Sequence, residues 1–155
     1  MIIEITDKYI KNGKLDKDAL VELGTDVVEI EGNNITFKTD VRFRSCNSLT
    51  CVYGATFNGD AEFWWCKSLV SVFGTTFNSH AVFGFCDVLF SLEAVIFNGN
   101  VDFLYCDSLV SVSGSMFNSF IQFSWCKSLV SVSGATFKDG FEAYHCPNLK
   151  KLEIK

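Results

Sequence analysis

The chain has 155 residues, 48% of them hydrophobic and 16 of them phenylalanine, with 18 acids against 13 bases for a net charge of −5. That size supports one domain with a continuous core, and so apolar a composition with a single proline excludes a disordered chain. No basic patch is present for a phosphate backbone and no stretch approaches the ~18 apolar residues of a membrane span, so neither nucleic acid nor membrane is an expected direct partner.

The acids concentrate early: residues 1–40 carry nine acids against five bases. The opening MIIEITDKYIKNGK places Glu4 and Asp7 where a signal peptide needs an apolar run. A cytoplasmic protein with reduced thiols is therefore expected. Residues 15–23, LDKDALVEL, predict a short amphipathic helix that Asp16 caps and Gly24 stops. Residues 27–37 read as an irregular first coil, with Phe37 aligned to later phenylalanines. Residues 1–40 thus form an N-terminal cap.

From residue 41 the chain repeats every 20 residues, and Cys46, Cys66, Cys86, Cys106, Cys126 and Cys146 mark the period. A short, regular period means one unit stacked on copies of itself. Residues 41–155 therefore form a repeat solenoid, joined to the cap as one domain. Five full coils span residues 41–140 and a partial one closes the chain. Apolar columns recur at Phe43 and Phe63, at the cysteines, at Leu49 and Leu69, at Val52 and Val72, and at Phe57 and Phe77. A small apolar column runs through Val41, Ala61, Ala81, Val101 and Ile121. Stacked copies of one apolar side chain are stable only when buried together, so these columns face inward. Polar, variable columns such as Asn47, Lys67, Asp87, Asp107 and Lys127 face water. Gly54, Gly74, Gly114 and Gly134, with the asparagines from Asn58 to Asn118, supply turns. The bends leave no room for a helix inside a coil. Each coil should hold one or two short strands, near SLVSV and near AEF, parallel to those of its neighbours. The tail LKKLEIK, with Leu152 on the valine column, reads as a charged closing strand that discourages end-to-end stacking.

The phrase Cys146-Pro147-Asn148-Leu149-Lys150-Lys151-Leu152 resembles the cysteine-containing leucine-rich repeat. The internal phrase Phe-x-x-Cys-x-Ser-Leu-x-x-Val resembles BspA-like repeats. It departs from them in placing Gly74, Gly114 or Gly134 at the third strand leucine, and Phe77 where the family has an asparagine. Pentapeptide-repeat proteins are a rival resemblance, since four five-residue faces also make a 20-residue coil. That phasing turns Ser68, Phe73 and Asn78 inward and leaves Leu69 and Val72 outside, so the leucine-rich reading is preferred. Either resemblance implies a β-dominated, right-handed parallel β-solenoid.

Little in the chain suggests chemistry. Thiols 20 residues apart do not converge on a metal as C-x-x-C pairs do, and side chains stacked in register do not point at each other to form disulfides. The periodic cysteines are expected to be buried and unpaired, while Cys51, in a serine column, is the one candidate for a reactive thiol. His80 and His145 fall at different repeat phases and suggest no nucleophile–base pair. No catalytic, metal or cofactor residue is assigned, and an enzyme is not expected. What remains is a surface: Trp65, Phe85, Tyr105 and Trp125 recur beside the cysteines, flanked by Trp64, Leu104 and Tyr144. If these rings point outward they form a contiguous apolar edge of the kind that binds another protein. If the column turns in, it packs over a corner of the core. The expected function is a non-enzymatic interaction module, a small inhibitor or adaptor, with room for a homodimer through a face. The alternative is a nucleic-acid mimic that blocks a DNA-binding enzyme, although Lys67 and Lys127 interrupt the acidic column such a mimic would need.

Overall fold

The computed structural model describes residues 1–150 and is a β-solenoid whose coils stack in parallel. Three faces wrap around the core. Face one is a seven-stranded parallel sheet of Ile2–Ile5, Asp40–Arg44, Ala61–Trp64, Ala81–Gly84, Val101–Leu104, Ile121–Ser124 and Phe141–Tyr144. Beyond its first pair each strand aligns with residues 20 further on, as in Phe43↔Phe63 and Phe83↔Phe103. Face two holds Cys51–Tyr53, Ser71–Phe73 and Ser91–Glu93, and continues as isolated bridges through Ser111 and Ser131. Face three stacks Asn34–Phe37, Ala55–Phe57, Thr76–Phe77, Ile96–Phe97, Met116–Phe117 and Thr136–Phe137. The first three full coils thus carry three strands each, not one or two, because the TF segment pairs as well. No helix among the described residues is long and apolar enough to cross a membrane.

Repetition of one inward side chain turns the core into ladders. Phe37, Phe57, Phe77, Phe97, Phe117 and Phe137 stack face to face with centroids 4.9–5.0 Å apart. Phe43, Phe63, Phe83, Phe103 and Phe123 form a second ladder at 4.5–5.4 Å. The two meet edge to face, as Phe63 meets Phe77 at 84°. Such pairs are each worth about 0.5–1.5 kcal/mol beyond the apolar area they bury. Leu69 and Val72 are fully buried with their column mates in the other full coils, whereas Leu149 is only partly buried. One inward column is not evident from the sequence: Ala55, Thr75, Val95 and Ser115 are also buried. Its mixed composition hid it, and Thr75 fits by donating its hydroxyl to the Phe73 carbonyl at 3.2 Å.

The cysteines fill the bend after face one. Cys46, Cys66, Cys86, Cys106 and Cys126 are buried and free, whereas Cys146, in the last described coil, is only half-buried. Each thiol reaches back one coil to a main-chain carbonyl: Cys46 to Ile5 at 3.0 Å, Cys106 to Phe83 at 3.3 Å, Cys126 to Phe103 at 3.8 Å. Burial pushes the Cys126 thiol well above its ordinary titration range. The column is a structural ladder of small apolar groups with weak donors.

The cap differs from its expected form at two places. The helix is shorter, Lys17–Leu20 followed by a 3-10 turn at Val21–Leu23, because Lys14–Leu15 pair with Ile10–Lys11 in a hairpin. Asp16 caps it by accepting from the Asp18 amide, and Gly24 ends it at φ 85°. Residues 27–37 are not an irregular coil but a hairpin, Val28–Glu31 antiparallel to Asn34–Phe37, and Phe37 joins the ladder from the second strand. The sequence reading also missed that Ile2–Ile5 is the first rung of face one, with Ile3 aligned to Val41 and Ile5 to Phe43. Leu152 and most of the LKKLEIK tail lie outside the described residues.

Candidate functional site

The bend that follows each face-one strand is made by a residue in the left-handed backbone region. Ser45, Trp65, Phe85, Tyr105, Trp125 and His145 all have φ between 53° and 60°. This conformation costs a non-glycine residue roughly 1–2 kcal/mol. From Ser45 to Trp125 it is held because the amide donates to the next coil, Trp65 to the Gly84 carbonyl and Phe85 to the Leu104 carbonyl at 2.8–2.9 Å. The twist throws the side chain outward. Trp65, Tyr105 and Trp125 are therefore 37–39% exposed instead of packing over the core.

Once outward, the rings stack on each other. Centroid distances run 5.6 Å for Trp65–Phe85, 4.7 Å for Phe85–Tyr105, 5.7 Å for Tyr105–Trp125 and 3.9 Å for Trp125–His145. The Arg44 guanidinium lies 5.9 Å from the Trp65 ring at the far end, a cation over an aromatic face. The faces of the inner rings cover one another, so the surface presented is a ridge of ring edges.

Trp64, Leu104 and Tyr144 lie on the outer side of face one beside this ridge. Trp64 points outward as expected but does not stand free. Its six-membered ring lies on Gly84, where any Cβ would collide with it. Its Nε1–H donates to Glu62 Oε2 at 3.0 Å. Glu62 is itself held by Arg42 Nε at 2.7 Å, and this hydrogen bond, more than the one from Trp64, keeps its carboxyl below the ordinary glutamate range. Trp64 is half-buried in consequence, and Tyr144 is the most open ring of the group. The structure thus brings Trp64, Trp65, Phe85, Leu104, Tyr105, Trp125 and Tyr144 onto one corner and its adjoining face. Sequence reasoning missed the supporting residues Arg44, Glu62 and Gly84. Gly84 carried a signal, since glycine inside a strand marks a close approach.

A second exposed apolar strip was not foreseen. Tyr53 and Phe73 stack at 5.4 Å on the outer side of face two, near exposed Val70 and Phe90. Elsewhere several exposed charges pair between coils. Lys67 pairs with Asp87 at 2.8 Å, Lys127 with Asp107 at 3.2 Å, and His80 Nε2 with Asp102 at 2.9 Å. Asn78, Asn98 and Asn118 each donate to the asparagine one coil back at 2.8 Å. Among the described residues no group of three His, Cys, Asp or Glu side chains converges as metal ligands. Compared with protein-family models, curated proteins and solved structures, the chain matches none.

Proposed function

We propose that this chain is a non-enzymatic interaction protein, a rigid solenoid that binds another protein through its aromatic corner and acts in the cytoplasm as a small inhibitor or adaptor. The observation that carries the reading is the aromatic run at left-handed bends. Glycine or asparagine makes such a bend at lower cost. Stacking returns about 0.5–1.5 kcal/mol per ring pair, roughly what the backbone loses, so the ladder brings little net stability. What it does bring is a rigid, exposed row of large rings, the residue types that dominate binding hot spots.

The stack of 20-residue, phenylalanine-rich coils is compatible with a pentapeptide-repeat-like fold, while the burial of Leu69 and Val72, with Phe73 exposed, favours the leucine-rich-repeat-like phasing. Charge works against nucleic-acid mimicry, since Asp87 and Asp107 are each paired with a lysine and offer no acidic stripe.

The test is affinity capture with intact protein and with two double variants. Trp64→Ala with Tyr144→Ala should keep the fold, melting somewhat lower because the Trp64 ring covers Gly84, and lose the partner, because truncating a hot-spot aromatic commonly costs ~2 kcal/mol or more. Asp87→Lys with Asp107→Lys should keep it. Full binding by the first and loss by the second would reverse the ranking in favour of a mimic.

A further inference from the structure

All three faces reach the N-terminal end of the solenoid, and they end there in different ways. On face three the chain doubles back, so the edge strand is Val28–Glu31, antiparallel and carrying exposed Glu29 and Glu31. Charges on an edge discourage another strand from pairing. On face two the hairpin of residues 10–15 covers the first rung, its Gly13 carbonyl accepting from the Thr50 amide at 2.8 Å.

Among the described residues, face one ends on a strand that carries one acid and no covering hairpin. Ile2–Ile5 pairs on one side only, with Asp40–Arg44. Among the described residues no backbone group pairs with its other side. A strand paired on one side leaves a row of N–H and C=O groups on the other. Ile2 beside it is 41% exposed.

Glu4 adds a chemical preference. Along the outer side of face one the row reads Glu4, Arg42, Glu62, with Arg42 between the two acids at 3.3 Å and 2.7 Å. Glu4 is half exposed and, among the described residues, pairs with one cation, Arg42. Continued by one rung, this alternation calls for a base.

We propose that the Ile2–Ile5 edge accepts an extended segment of another polypeptide as an additional rung, with a lysine or arginine beside Glu4 and aliphatic residues on either side of that base. Main-chain pairing supplies affinity and Glu4 selects the base, while the flanking aliphatics turn to the opposite side, where one of them meets the partly buried Ile3. A second copy's Ile2–Ile5 is a poorer occupant. It sets another Glu4 in the same row and brings together two cap regions with nine acids against five bases each.

The probe is a fluorescein-labelled peptide, Thr-Val-Lys-Val-Thr, titrated with the full chain at ~0.15 M salt. Anisotropy should rise to saturation, and amide exchange should slow at Ile2–Ile5. Glu4→Gln should weaken binding about tenfold, the order expected for a lost charge-assisted hydrogen bond, while Arg42 stays held by Glu62 and the fold is kept. Trp64→Ala with Tyr144→Ala should bind the peptide normally, which separates this edge from the aromatic corner. No anisotropy change would overturn the proposal. Equal binding of a peptide N-methylated at alternate amides would also overturn it, since main-chain pairing would then play no part. So would a dimer, in sedimentation without peptide, protected at Ile2–Ile5.

Discussion

Ala94 stands where other coils place Gly54, Gly74, Gly114 and Gly134, and it shares their left-handed backbone at φ 52°. No ring stack accompanies the strain at this bend, unlike the one at Trp65. Ala94→Gly is therefore expected to raise stability by roughly 0.5–1 kcal/mol, after glycine's larger unfolded-state entropy is subtracted. A higher urea midpoint at unchanged slope would verify it. Glu62 gives the matching prediction for pH. Its folded-state pKa is depressed, first by the Arg42 hydrogen bond, so its contribution is fully present above the ordinary glutamate value and is lost as pH falls through the lower folded value. The Trp64 indole then donates to a neutral carboxyl, a weaker acceptor, in the same step. Tryptophan emission should shift on acidification below about pH 4.5, and Glu62→Gln should remove that transition.

The ladders are where the sequence was most legible. The phenylalanine, leucine and valine columns each repeat one kind of apolar residue at a fixed interval, and only burial makes such repetition stable, so Phe63, Leu69 and Val72 could be placed from spacing alone. Leu109 is fully buried between Leu89 and Leu129, and Leu109→Ala should cost about 2–5 kcal/mol because identical neighbours cannot collapse into the gap. Lys127→Met removes only an exposed ion pair with Asp107 and should cost no more than about 1 kcal/mol. Denaturant melts of the two variants separate the roles. The cysteine column gives a parallel check: a thiol reagent should label Cys51 and Cys146 in the native protein and spare the five buried thiols. The bends were not legible. Trp and Phe are poor candidates for a left-handed backbone, so their pattern did not reveal whether the column turned in or out. That was decided by the amide of each bend, which had to reach the next coil.

At the scale of the whole molecule, the repeated part was readable and the unrepeated part was not. Apart from Phe37, residues 1–40 align with no repeated column, so little shows which of their side chains turn inward. Local signals placed the helix near Asp16 and Gly24 but could not reveal that Ile2–Ile5 begins a sheet. In-register stacking also has a mechanical side. Each coil is bonded chiefly to the coil before and the coil after it, so tension applied between the two ends passes through the rungs in series. The chain would yield one coil at a time, each adding about 7 nm of slack as its 20 residues straighten. Because the same phenylalanine contacts fasten every junction in the middle, no interior coil shelters another, and rupture starts at whichever terminal rung has the fewest neighbours.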